Sequence, residues 1–90
     1  MSRIEMKDLN RAVQTLNEVA NRPLSAWANG KGQIGNYHVY AADGQYGLHC
    51  VCNESGGVND VIGLTTKREL YNCVRAMIAG VLVGKNMERV

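Results

Sequence analysis

The stretch that decides the fold runs from residue 36 to residue 52 and reads NYHVYAADGQYGLHCVC. On both sides of Asp43-Gly44, apolar or aromatic residues alternate with others, a pattern typical of strands. Asp-Gly is a strong hairpin signal, because a type I′ turn needs positive φ at both central residues. The stretch therefore predicts an antiparallel hairpin with strands over 36–42 and 45–52. A short third strand is expected over 58–62.

The alternation divides this hairpin into two faces. Tyr37 and Tyr46 are expected to share the core-facing side with Leu48. Tyr40 and His49 fall on the other side, where they offer a stacking surface for a nucleobase. The alternative is that Tyr40 and His49 are half-exposed residues that fill the surface of a sheet.

An amphipathic helix is predicted before the hairpin. Ser2 and Glu5 have the spacing of a capping box, and the apolar stripe that follows consists of Met6, Leu9, Val13, Leu16 and Ala20. The helix should end at residues 21–23. Residues 24–35 are predicted to form a loop, in which Trp27 covers one end of the core.

A second amphipathic helix is predicted after the hairpin, where Thr66 and Glu69 repeat the capping signature. Its buried stripe is expected to be Leu70, Cys73, Val74, Met77, Ile78 and Val81. Gly84 stands where a left-handed C-terminal residue is expected. Ala76, Gly80 and Gly84 lie four residues apart on a neighbouring face. They favour either packing on the hairpin or self-association.

These elements predict a single α+β domain over residues 1–90, in the order helix, two- or three-stranded antiparallel meander, helix. Both helices should cover one face of the sheet. A sheet this small leaves its other face and its edges uncovered, and a chain of 90 residues buries a small core. Both points favour a homo-oligomer.

Composition and motifs exclude several classes of protein. The longest apolar run, over 76–84, is about half of what a membrane span requires, and the start has no signal-peptide pattern, so an intracellular protein without a membrane partner is expected. Cys50 and Cys52 point away from His49, so reduced thiols, no metal site and no cofactor are predicted. Neither paired catalytic carboxylates nor a Cys/His nucleophile is evident, and no enzyme is predicted.

The net charge of +2 is divided unevenly along the chain. Residues 33–66 carry Asp43, Glu54 and Asp60 without any Lys or Arg, whereas both flanking segments are basic. A long nucleic acid would require a more uniform basic patch. A small anion is compatible with this charge pattern.

The strongest candidate site is the start of the second helix. Lys67 and Arg68 lie in its first turn, where the helix dipole already disfavours cations, so a bound anion would explain them. Asn72 and Arg75 follow on the same face. The alternative is a solvated stripe whose bases are neutralised by Glu54, Asp60 or Glu69.

The turn over 53–57, with sequence NESGG, is the second candidate. Its two glycines permit close backbone approach to a ligand, and Asn53 is suited to bind a base or a ribose. The other interpretation is an ordinary turn. The segment lacks the spacing of a Walker or dinucleotide fingerprint.

Three motifs within residues 44–80 carry a family resemblance: GQYGL at 44–48, NESGGV at 53–58 and TKRELY at 66–71. They resemble the anti-Thoeris nucleotide-sponge family, small phage-encoded counter-defence proteins that sequester immune signalling nucleotides without cleaving them. The resemblance implies a phage protein that acts in the host bacterial cytoplasm. It implies ligand contacts at Asn53 and Arg68, and pockets built between the subunits of an oligomer.

Two functions from different classes follow. The first is a sponge that binds a cyclic or ADP-ribose-type nucleotide, with Arg68, Lys67 and Arg75 on phosphate and Asn53 on base or ribose. The second is a phage inhibitor that contacts a host defence protein, such as a CRISPR protein, through the exposed sheet face and the acidic hairpin. The first predicts a basic pocket, and the second predicts a flat or acidic surface.

Overall fold

A computed structural model describes residues 3–88 and shows an α+β fold, as the sequence predicts. Along the chain, one helix precedes the strands and the other follows them. The elements are α1 (Met6–Val19), β1 (Trp27–Ala28), β2 (Lys31–Gly32), β3 (Tyr37–Ala42), β4 (Gln45–Val51), β5 (Val58–Thr65) and α2 (Lys67–Glu88). Within the described part of the chain, neither helix is both long and apolar enough to cross a membrane.

The main sheet is an antiparallel meander in the order β3-β4-β5. The hairpin turn is confirmed, since Asp43 and Gly44 have φ of 52° and 74°. The third strand extends to Thr65, beyond the predicted end at residue 62. Pairing with β4 is irregular between Tyr46 and His49. These bulges break the alternation, so the sequence pattern concealed the last three residues of the strand.

Both helices pack on one face of this sheet, as predicted. The core consists of Leu9, Ala12, Val13, Leu16, Leu48, Leu70, Val74 and Ile78. Tyr37, Val39, Tyr46 and Ile62 flank it from the strands. The other face of the sheet is turned away from both helices.

The start of α1 differs from the prediction. The N-cap is Glu5, and the side chain of Asp8 accepts a hydrogen bond from the Glu5 N–H at 2.9 Å. The capping partners are therefore Glu5 and Asp8, because Asp8 is the acid one turn into the helix. Ser2 lies outside the described residues. Met6 is exposed rather than part of the buried stripe.

The cap of α2 is confirmed, because the Thr66 hydroxyl accepts a hydrogen bond from the Glu69 N–H at 3.1 Å. Two other expectations for this helix are wrong. The helix continues through Gly84 to Glu88, so Gly84 does not end it. Cys73 is exposed, because the buried line follows Leu70, Val74 and Ile78 at a spacing of four, and Cys73 lies to one side of it.

The face formed by Ala76, Gly80 and Gly84 does not pack on the hairpin. A Cβ atom built at Gly80 or at Gly84 would meet nothing within 4 Å. The last turns of α2 instead expose large apolar side chains, at Leu82, Val83 and Met87. Of the two interpretations of this face, packing within the chain is therefore wrong.

Residues 24–35 contain the small hairpin of β1 and β2 rather than only a loop. Trp27 is 54% exposed and does not cover the core. Its ring lies against Gly56, where a Cβ atom would collide with it. The small hairpin therefore packs on the turn between β4 and β5. A backbone hydrogen bond from the Gly32 N–H to the Glu54 carbonyl, at 2.7 Å, also joins the hairpin to this turn.

Candidate functional site

Three cations line a cleft at the start of α2. The cleft has a volume of about 450 Å³, and its walls are Arg3, Ile4, Gly44, Tyr46, Thr66, Lys67 and Arg68. Of these described lining residues, three are cations and none is acidic. The first turn of a helix adds positive potential from its backbone N–H groups. The arrangement is suited to bind an anion.

Strand pairing explains why these residues meet. Tyr46 on β4 pairs with Thr65, the last residue of β5, so Lys67 follows directly at the hairpin end of the sheet. The Lys67 ammonium lies 5.3 Å from the centre of the Tyr46 ring. This cation–π contact gives Lys67 a partner within the chain and holds its charge at the cleft.

A second cleft of about 460 Å³ adjoins the first along Arg3 and Ile4. Its remaining walls are Glu5, Lys7, Asp8 and Tyr71. Lys7 and Glu5 are paired at 3.3 Å, and both are exposed. The two clefts differ chemically, because the second contains carboxylates and the first contains none among its described residues.

Asn72 and Arg75, the other predicted residues of α2, do not line the first cleft. Arg75 lines a separate cavity of about 130 Å³ with Asp8, Arg11 and Tyr71. It lies about 10 Å along the helix from Arg68, given a rise of about 1.5 Å per residue. Asn72 is exposed on the helix between them. The predicted row therefore divides between two places.

Asn53 lies at the opposite end of β4 from Tyr46, and one chain does not bring it near Lys67 or Arg68. Its side-chain oxygen accepts a hydrogen bond from the Gly57 N–H at 2.8 Å. Packing within the chain also explains why residues 56 and 57 are glycines. The Asn53 side chain occupies the space beside Gly57, and the Trp27 ring occupies the space beside Gly56. In the single chain, Asn53 closes a turn.

Tyr40 and His49 lie together on the open face of the sheet, as predicted. Their rings are stacked on each other, with centroids 3.5 Å apart and planes 12° apart. Gly47 is the cross-strand partner of Tyr40, and a side chain there would collide with the Tyr40 ring. The two rings thus fill part of the stacking surface that was expected for a base. The sheet separates them from the cationic cleft.

Asp60 completes this cluster, and the sequence patterns did not indicate it. The His49 Nε2 atom lies 2.8 Å from Asp60 Oδ1. Partial burial raises the pKa of Tyr40, and the charge of Asp60 together with a hydrogen bond to it raises that pKa further. Of the acids expected near Lys67 and Arg68, Asp60 contacts His49, and Glu54 pairs with Lys31 at 3.9 Å.

His38 is the third ring on the open face. Its centroid lies 5.7 Å from that of His49, and the two planes are nearly perpendicular at 86°. Burial lowers the pKa of His38, and the charge of His49 lowers it further. The alternation predicted that His38 and Tyr40 share a face, and the β3–β4 register that follows from the two-residue turn places His38 opposite His49.

The three cysteines are free thiols. Cys50 is half-buried, whereas Cys52 and Cys73 are exposed. Within residues 3–88, no group of three or more histidine, cysteine, aspartate or glutamate side chains is placed to hold a metal ion. Comparison of the whole chain with protein-family models, with curated proteins and with solved structures finds no match.

Proposed function

We propose that this protein binds and sequesters a nucleotide of cyclic or ADP-ribose type without cleaving it. The observation that carries the proposal is the convergence of Arg3, Lys67 and Arg68 on one cleft without a described acid in its walls. These groups come from two separate segments and meet at a helix N-terminus. Such an arrangement favours phosphate groups.

The chemistry of the cleft supports binding rather than cleavage. Its cations offer charge and hydrogen-bond donors, and Tyr46 offers ring surface. The Thr66 hydroxyl accepts the capping bond of α2 and is thereby held in a structural role. The resemblance of residues 44–80 to phage nucleotide sponges supports the same function, with counter-defence in the host cytoplasm as its setting.

The proposal includes a homo-oligomer. Asn53 and the Tyr40–His49 pair lie away from the cleft in one chain, so a second copy would be needed to bring either of them to a shared ligand. The exposed apolar end of α2, formed by Leu82, Val83 and Met87, is a candidate contact surface. Glycines at 80 and 84 leave room for a close helix approach.

The test is to identify small molecules that heating releases from the purified protein, followed by calorimetry with ADP-ribose and with cyclic dinucleotides. Arg68→Ala should weaken binding about ten- to hundred-fold, since a charge-assisted contact contributes about 1.5 to 3 kcal/mol. Arg75→Ala is the matched control, because it removes a cation from the same helix outside the cleft. Equal losses in both variants would contradict the assignment of the cleft.

A second candidate is inhibition of a host defence protein by direct contact. The observation that favours it is the sheet face turned away from both helices, where Tyr40, His49 and Asp60 form a connected polar and aromatic patch. Aromatic residues are enriched in protein interfaces. This candidate would be favoured if the Arg68→Ala variant still inhibits the host defence protein fully and a variant substituted at Tyr40 no longer does.

A further inference from the structure

The two histidines of the sequence lie side by side on the open sheet face. His38 and His49 are direct cross-strand partners, and Asp60 on β5 is the next partner of His49 in the same row. The order across the sheet is therefore His38, His49, Asp60. In each imidazole, one ring nitrogen lies within hydrogen-bond distance of a side-chain oxygen. These contacts determine which nitrogen of each ring carries the hydrogen and which carries the lone pair.

The carboxylate of Asp60 sets the tautomer of His49. Nε2 lies 2.8 Å from Asp60 Oδ1, so Nε2 carries the hydrogen and donates it. The neutral ring then has its lone pair on Nδ1. Nδ1 and Nε2 lie on opposite sides of an imidazole, and Asp60 lies on the β5 side. The lone pair of His49 is therefore on the side of the ring away from Asp60 and β5.

The amide of Asn36 sets the tautomer of His38. Asn36 is 2% exposed, and its Nδ2 donates to the Pro23 carbonyl at 2.8 Å, which fixes the orientation of the amide. Asn36 Oδ1 therefore faces His38 Nδ1 at 3.2 Å, and this oxygen can only accept. His38 Nδ1 carries the hydrogen, and its lone pair is on Nε2.

We propose that His38 Nε2 and His49 Nδ1 together bind one divalent transition-metal ion of the Zn²⁺ class, with water completing its coordination. With metal–nitrogen bonds of about 2.1 Å, two imidazoles on one ion have centroids about 5 to 6 Å apart. The observed separation is 5.7 Å. Asp60 and Asn36 are positioning residues, which fix each ring through the nitrogen that does not bind metal.

This site differs from the zinc site of cysteines and histidines that the strand pattern argues against. The rejected site combined histidines with cysteines, and the strand register does place His49 on the opposite face from Cys50. The proposed site uses no thiol.

The first test is imidazole nitrogen NMR of the full chain, with thiols reduced, during titration with Zn²⁺ alone. Because the sequence has two histidines, the four signals of their ring nitrogens show which imidazole nitrogens bind the metal. His38 Nε2 and His49 Nδ1 should shift together, at one ion per chain. Zn²⁺ shifts at a single histidine, or at His49 Nε2, would overturn the proposal.

Variants supply the second test. His38→Gln and His49→Gln should each lower Zn²⁺ affinity at least ten-fold, whereas Cys52→Ser, which removes an exposed thiol, should leave it unchanged. Unchanged affinity in the double histidine variant would overturn the site. Asp60→Ala should lower affinity about ten-fold and mix the His49 tautomers, and Asp60→Asn should restore part of both. Loss of affinity in Asp60→Ala with an unchanged tautomer would overturn the positioning role.

Discussion

The side-chain amide of Asn17 makes both backbone hydrogen bonds of Tyr37. Asn17 Nδ2 donates to the Tyr37 carbonyl at 3.0 Å, and Asn17 Oδ1 accepts from the Tyr37 N–H at 2.9 Å. Asn17 is 1% exposed and lies on α1, so it joins that helix to the first residue of β3 in the way that a neighbouring strand would. Its position decides how the first helix docks on the sheet.

We expect Asn17→Ala to destabilise the protein by about 3 kcal/mol, since it leaves two backbone groups of Tyr37 without a partner. Urea denaturation of parent and variant measures the difference. Asn10→Ala is the matched control, because Asn10 is exposed on the same helix and should change the free energy of unfolding by less than about 0.5 kcal/mol. Similar losses in both variants would mean that the amide does not dock α1.

Gly44→Val should destabilise by more than about 1 kcal/mol, because φ at this position is 74° and a β-branched residue is strained there. A Cβ atom at Gly44 would meet nothing within 4 Å, so the cost comes from the backbone alone. Gly80→Ala, where the space is also open but the backbone is helical, should instead stabilise the isolated chain by about 0.5 to 1 kcal/mol. Thermal denaturation of both variants checks the contrast in sign.

Stability should fall as pH drops through 6.5, the ordinary pKa of a histidine. Burial, and secondly the charge of His49, lowers the pKa of His38 in the folded state, so the unfolded chain binds a proton at higher pH than the folded chain does. The contribution of neutral His38 is present above this pH and is lost below it. His38→Gln should flatten the dependence between pH 7 and pH 5 in urea titrations. If His38→Gln leaves the slope of unfolding free energy against pH unchanged, His38 does not cause the pH dependence.

Light scattering should report a multiple of 9.9 kDa at high micromolar concentration. Val83 is 57% exposed near the end of α2, and Val83→Glu should shift the protein to the mass of one chain by placing a charge in the apolar contact. Asn86→Glu adds the same charge at an exposed polar site of the same helix and should leave the mass unchanged. A parent protein of 9.9 kDa at that concentration would contradict an oligomer built on α2.

Local patterns predicted most of the fold because each depends on a few neighbouring residues. The Asp43-Gly44 turn, the Thr66 cap and the buried side of the hairpin are of this kind. The same patterns predicted that Lys67 and Arg68 belong to one site, and both line the cleft at the start of α2. They failed where two signals compete over a short distance, as at Glu5 and Asp8, or where a helix continues past a glycine, as at Gly84.

The sequence by itself determined the order of the elements, their buried faces and the basic start of α2, since alternation, capping and charge are properties of consecutive residues. Only the tertiary structure decided which distant side chains meet. The register of β3, β4 and β5 placed His38, His49 and Asp60 in one row, and it placed Asn53 at the far end of the sheet from Lys67. The two-residue turn at Asp43-Gly44 fixes the register of β3 with β4. The pairing of β5 depends instead on its bulges, and the docking of α1 depends on Asn17, and neither has a local sequence signal.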